Sequence, residues 1–285
     1  MANPAPLAAV ARHWYAGEPD SLLPLVDAAL VASGLDPADL SPDDLAGVDQ
    51  FHMRGREATA ELAARAGFTG ADHVIDVGAG LGGPARFLAR QTGCRVTGID
   101  LTEEYCRVAS ELTRRLGMED VVRFRQGDAL ALPFDDATFD GAWTQHISMN
   151  IPDKRAFFAE MARVVKPRGR VAIHDPIAGD GAGDGAGTDG PLTLPVPWAR
   201  TPDMSHLVDE AGTRAALADA GLEVLEWHDV TTTAVEWFEA RLKAGPGPLG
   251  LHVLLGADWP TMAANLRENL ASGRVRAVQI VARRS

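Results

Sequence analysis

The sequence predicts an α/β fold on a parallel sheet with right-handed crossovers. Three observations carry this expectation. From residue 73 onward, short apolar runs alternate with stretches of helical periodicity. The first run, "HVIDV", ends in a glycine-rich turn, and Pro84 stands where a helix begins. Before residue 73 there is only helical spacing, cut into short pieces by prolines.

The elements follow in order. "SLLPLVDAALVASG" and "GREATAELAARAG" place apolar residues on one helical face, and each ends in glycine. "HVIDV" is the first strand and "ARFLARQTG" the helix after it. "CRVTGID" is the second strand. Thr102 is placed to cap the next helix, with Glu103 and Glu104 favouring its dipole. Val108, Leu112 and Leu116 continue that helix to Gly117. "VVRFRQGDA" and "FDGAWTQHI" read as strands three and four. "DKRAFFAEMARVVKPRG" reads as a helix burying Phe157, Met161, Val164 and Val165, followed by strand five, "RVAIHD". After a low-complexity stretch and a proline-rich apolar one come the helix "VDEAGTRAALADAG" and the strand "LEVLEWHDV". Helical stretches at 234–243 and 258–272 and a last strand, "RVRAVQIVAR", complete the chain. The simplest parse is a helical N-terminal lid over residues 1–70 and a sheet domain over 71–285, with a cap insertion at about 176–210.

Composition narrows the function. The 285 residues carry a net charge of −12, which excludes a broad footprint for nucleic acid or anionic membrane. Two cysteines, Cys94 and Cys106, form no C-x-x-C pair, so neither a disulfide framework nor a zinc site is expected. No apolar run approaches the ~18 residues of a membrane span, and the N-terminus lacks a signal-like apolar core. The expectation is a cytoplasmic protein acting on a small molecule, with a homodimer left open. Asp180, Asp184 and Asp189 punctuate the low-complexity loop, but their spacing matches no calcium motif, and no metal is expected.

The glycine turn carries the chemistry. Gly78, Gly80 and Gly83 satisfy G-x-G-x-x-G between a strand and a helix, and Asp100 ends the second strand where a ribose-binding acid belongs. These features suit NAD and S-adenosylmethionine alike. Asp76 separates them: a carboxylate beside the turn repels a pyrophosphate and attracts an ammonium, by about 4 kcal/mol either way at ~4 Å and an effective dielectric near 20. Asp128 follows the third strand, where its carboxylate can accept from an adenine amino group between apolar Ala129 and Leu130.

"VIDVGAGLGGPARFLA", "VTGIDLT", "GDALALPFDDATFDGAWTQHI" and "VVKPRGRVAIHD" resemble the successive motifs of class I S-adenosylmethionine-dependent methyltransferases over roughly residues 50–175. "DQFHMRGREAT", "QHISMNIPDK" and the C-terminal tail resemble sarcosine/dimethylglycine N-methyltransferase-like proteins. Tocopherol-type and natural-product methyltransferases look similar too. The resemblance implies a Rossmann-like, seven-stranded mixed sheet with helices on both faces and an antiparallel last strand.

It also implies roles. Gly78, Ala79, Gly80 and Gly83 bring the backbone to the methionine part of the cofactor, with Asp76 beside them. Asp100 accepts the ribose hydroxyls, Leu101 packs on the adenine, and Asp128 takes its amino group; a plain turn at Asp128 is the alternative. Gln145 touches the methionine end, and Gln50 and His52 close over it. His146 is the candidate base, with a hydrogen-bonded structural histidine as the competing reading. Asn150, Tyr15, His174 and Trp198 are candidates for the acceptor side. Where many relatives have an acid, this chain has His174, which puts any inherited acid or metal role there in doubt. The expected reaction is methyl transfer to a small-molecule acceptor, nitrogen favoured over carbon or oxygen. The alternatives are a methyltransferase-fold protein with another activity, such as a cyclisation, and an NAD-dependent oxidoreductase.

Overall fold

The computed structural model describes residues 13–14, 20–179, 191–245 and 247–285. Helices α1 (Leu22–Ala32) and α2 (Gly55–Ala66) precede β1 (His73–Val77). Then come α3 (Gly83–Thr92), β2 (Arg95–Asp100), α4 (Glu103–Arg115), β3 (Val122–Gln126) and β4 (Phe139–Gln145). A 3-10 turn at Ser148–Asn150 leads into α5 (Lys154–Val164), β5 (Val165–Ala178), α6 (Glu210–Asp219) and β6 (Leu222–Asp229). The chain ends with α7 (Thr231–Ala244), α8 (His252–Leu255), α9 (Trp259–Ala271) and β7 (Val275–Arg284).

The seven strands form one sheet in the order β3-β2-β1-β4-β5-β7-β6. β7 is inserted antiparallel between β5 and β6, and the other neighbouring strands pair in parallel. The order reverses between β1 and β4. In open α/β sheets the crevice outside the carboxyl ends of the strands at such a switch point is where ligands bind. Alternation along β1 explains the layering: Ile75 and Val77 enter a core with α5 and α6, and Val74 enters another with α2 and α3.

The elements expected from periodicity are present, with three differences. Strand five begins at Val165 and runs 14 residues, so the preceding helix stops at Val164 and "VKPRG" is strand. Pro167 cannot continue a helix, and pairing of Phe139 with Val165 across a register shift captures the segment for the sheet. Second, Thr102 stands at the N-cap of α4 without a side-chain cap bond; its N–H donates to Asp100 Oδ1 (2.9 Å). Third, α8 adds a short helix in a stretch whose pattern had marked none.

The N-terminal segment reaches the crevice through a buried ion pair. Arg86 of α3 donates from Nη2 to Asp49 Oδ2 (2.9 Å) and to Leu81 O (2.7 Å), and from Nη1 to Thr113 Oγ1 (2.9 Å). Both partners are buried. Gly83 permits this docking, since a Cβ there would collide with the backbone and side chain of Asp49. Burial lifts Asp49 to about 6, against the pull of Arg86.

Removing one member strands the other charge in the interior. Arg86→Met should cost about 3–5 kcal/mol of stability, and Asp49→Leu combined with Arg86→Met should recover most of it. Urea unfolding of the three chains checks this; a single variant as stable as wild type would show that the pair does not hold the segment.

Candidate functional site

The loop after β1 is tied to β2: Gly78 and Ala79 N–H both donate to Ile99 O (2.7 and 2.9 Å). Gly78 has φ 81° and Gly80 φ 53°. At Gly78 a Cβ would run into the Ile147 side chain, so close packing and left-handed backbone both call for glycine there. Asp100 accepts from Gly80 N–H at Oδ2 and from Thr102 N–H at Oδ1, both at 2.9 Å. Burial raises its pKa while these bonds oppose the rise.

Asp76 differs. It is 2% exposed, and among the described residues its Oδ2 has no hydrogen-bond partner. Desolvation, with a smaller push from Asp100, lifts it to about 8. One strand over, Gln145 at the end of β4 accepts Trp143 Nε1–H at Oε1 (3.1 Å), while its buried Nε2 has no partner among the described residues. The adjacent ends of β1 and β4 thus hold an unpaired acceptor and an unpaired donor. Asp128 forms a turn, its Oδ1 accepting Leu130 N–H (2.8 Å). Ala129 and Leu130 pack partly buried against the core beneath, and Leu101 is half-buried after β2.

Gln50 and His52 come to this edge through Thr59 of α2. The Thr59 hydroxyl lies 2.9 Å from Gln50 Oε1, 2.9 Å from His52 Nε2 and 3.3 Å from Gln145 Oε1. His52 Nε2–H also donates to Gly55 O (2.8 Å). His146 and His174 lie beside it, their ring centroids 5.1 Å apart. Burial depresses all three: His52 to about 3, His174 to about 4 and His146 well below its ordinary value. His146 Nε2 accepts Met53 N–H (3.3 Å), so the nitrogen a base would use is engaged. His174 is fully enclosed between Val278 O (3.1 Å from Nδ1) and Met53 O (3.2 Å from Nε2), facing the lid and β7.

Asn150 is a junction. Its Oδ1 accepts Trp14 Nε1–H (3.1 Å), and its Nδ2 donates to Trp198 O (2.9 Å). Trp198 is fully buried and donates to Ser205 Oγ (3.0 Å). With Met53, Met149 and Val196 it forms an apolar core against α7, α9 and β7, edged by Trp14 and Met204. Asn150, Trp198 and the N-terminal turn therefore meet, while His174 stands behind Met53. Tyr15, Asp180, Asp184 and Asp189 lie outside the described residues. Arg54 and Arg56 of the same N-terminal segment are both paired: Arg54 bidentate to Glu61 (2.6 and 2.7 Å), Arg56 to Asp43 (2.8 Å).

The sequence reading missed Thr59, Met53, Ile147 and Asp175. Thr59 had a signal, being the one hydroxyl in the Ala-rich "GREATAELAARA". Asp175 accepts Ile147 N–H at Oδ1 (2.9 Å), its buried Oδ2 has no partner among the described residues, and burial lifts it to about 6. No local pattern distinguishes it from its neighbour His174.

Asp76 makes a stability prediction. With its pKa near 8 in the folded chain and about 4 unfolded, the folded state holds an extra proton between those limits. Stability from this residue is therefore present at low pH and lost as pH rises toward 8. Asp76→Asn should match wild type near pH 4 and exceed it by roughly 1–3 kcal/mol at pH 8.5. Urea midpoints at the two pH values test this, and an offset independent of pH would rule it out.

Residues 75–173 match the family model described as a methyltransferase domain. The methyltransferase GfsG of Streptomyces halstedii is 34% identical over 66% of this chain and 66% of its own length. The glycine/sarcosine/dimethylglycine N-methyltransferase of Actinopolyspora halophila is 35% identical over 55% of this chain and 26% of that protein. The chain thus spans two thirds or less of these curated relatives. Among solved structures, geranyl diphosphate C-methyltransferase from Streptomyces coelicolor A3(2), in complex with Mg2+, geranyl diphosphate and S-adenosyl-L-homocysteine, superposes with a TM-score of 0.71. The superposition covers 100% of this chain and 99% of that one at 22% identity, a likeness of fold. By its motifs, sheet order and relatives, the chain belongs to the class I S-adenosylmethionine-dependent methyltransferases.

Proposed function

We propose that this protein transfers the methyl group of S-adenosylmethionine to a small-molecule acceptor with an apolar body, a specialised metabolite, and that a neutral amine is the favoured accepting group. The observation that carries the reading is the unpaired couple at the ends of β1 and β4, Asp76 Oδ2 and Gln145 Nε2. An amino-acid terminus brings an ammonium for the first and a carboxylate for the second. The ammonium favours the ionised form of Asp76, whereas a pyrophosphate brings only acceptors and gives that form no support. Asp100 has lone pairs left for ribose hydroxyls, and the second oxygen of Asp128 is left for an adenine amino group between Leu101, Ala129 and Leu130. The cofactor, when bound, supplies a methyl group already activated on a sulfonium.

The protein's work is then alignment and exclusion of water. The segment carrying Gln50, His52 and Met53 covers the strand ends, and all three residues are buried. The lone pair of His146 is engaged by Met53 N–H, and His174 is enclosed between two carbonyls. Neither is free to deprotonate a phenol or carbon acid. A neutral amine brings its own lone pair and needs no such base. The match to an N-methyltransferase supports the same choice. The apolar core around Met149 and Trp198 argues against a very small zwitterion. A second reading, transfer to oxygen or carbon, rests on Asp175, whose unpartnered Oδ2 and raised pKa suit a base.

Calorimetric titration should show binding of S-adenosylhomocysteine and none of NADH, with Asp76→Asn weakening the former roughly 10–100-fold, the range for a charged hydrogen bond. Tight NADH binding without S-adenosylhomocysteine binding would reject the reading. Incubation with methyl-13C cofactor and a panel of apolar amines, phenols and carbon acids should place the label on nitrogen. Label on oxygen or carbon favours the Asp175 reading, and binding without any transfer favours a non-transferring member of the fold.

A further inference from the structure

Two neighbouring strands, β4 and β5, each bring a histidine beneath a single residue of the N-terminal segment. His146 follows β4, and His174 lies in β5 beside it. His146 N–H donates to His174 O (2.8 Å), extending the ladder one step beyond the paired strands. At that step His146 takes φ 57°, a left-handed conformation uncommon for a residue with a side chain. Its ring meets the lid there: Met53 N–H reaches His146 Nε2 at 3.3 Å, and Met53 O lies 3.2 Å from His174 Nε2. The two imidazoles thus hold the two polar groups of one residue. The Met53 side chain, 2% exposed, packs in the acceptor-side core with Met149 and Trp198. Its neighbour His52 joins the Thr59 network that reaches Gln145.

We propose that His146 and His174 are positioning residues that clamp the backbone of Met53, holding residues 50–53 closed over the cofactor's methionine end and the Met53 side chain against the acceptor. His146 serves through the acceptor lone pair of Nε2, in place of a proton-transfer role. His174 serves through Nε2–H. Its Nδ1 lies 3.1 Å from Val278 O of β7, and a neutral imidazole has one proton for these two carbonyls, so the clamp places it on Nε2. The strained backbone at 146 is what aims the first ring back at the lid.

Substitutions that mimic single ring nitrogens separate this from other roles. Glutamine places a carboxamide oxygen where Nε2 stands; asparagine tolerates the left-handed backbone but falls short of Met53. His146→Gln should bind S-adenosylhomocysteine within about threefold of wild type. His146→Asn should bind it about tenfold more weakly, the equivalent of one lost hydrogen bond. Amide exchange of Met53, read without ligand, should quicken about tenfold in His146→Asn and stay near wild type in His146→Gln. His174→Gln and His174→Leu, which leave the turn at 146 untouched, should repeat the pattern and decide the matter if His146→Asn does not fold. The binding arm rests on the cofactor reading, and the exchange arm does not. If wild type fails to bind S-adenosylhomocysteine, the cofactor reading falls and exchange still tests the clamp. Unchanged Met53 exchange in the shortened variants overturns the clamp. So does an equal loss of affinity in His146→Gln and His146→Asn, which would assign the ring itself to the ligand.

Discussion

The buried ion pair between Asp49 and Arg86 is the constraint on which the site depends. It fastens the N-terminal segment to the helix that follows the glycine loop, and Gly83 lets the two backbones approach closely enough for it to form. Once residues 49–53 lie across the strand ends, water is excluded from them. Exclusion drives the electrostatics in both directions: acids without partners rise and histidines without counter-charges fall. The polarity of the site thus follows from where one surface segment docks.

The same docking divides the crevice into two environments. Toward β1 and β2, carboxylates and backbone amides converge, as an amino-acid and adenosine ligand requires. Toward the insertion and α9, methionine and tryptophan side chains close an apolar core around Asn150, whose amide joins the N-terminal turn to the cap. A reaction whose electrophile arrives activated asks little acid–base chemistry of such a site. It asks for a fixed line between donor and acceptor and for dryness, and both come from the elements that fold over the sheet.

The sheet and the cofactor edge were legible in the sequence because their signals are local. β1, β2 and β4 are short apolar runs with turn residues at their ends, and the glycines announce a backbone that no side chain permits. Asp76 and Asp100 were found by their positions relative to those strand ends. Errors came where a local preference competed with a distant partner. "VKPRG" reads as a helix end until pairing with Phe139 draws it into the sheet. Thr102 sits where a cap belongs, yet its side chain makes no cap bond, and its N–H goes to the Asp100 carboxylate.

The sequence by itself determined the strand–turn–helix unit, the acids beside it and hence the class of cofactor, since each depends on residues within a few positions of one another. What His146 and His174 do was decided only by tertiary structure. His146 lies at a strand end, as read, while β5 runs four residues past His174; the ring nitrogens of both meet the backbone of Met53, 93 and 121 residues away in the chain. A histidine's sequence neighbours do not specify whether its lone pair faces a ligand or a peptide N–H; the packing of a remote segment does.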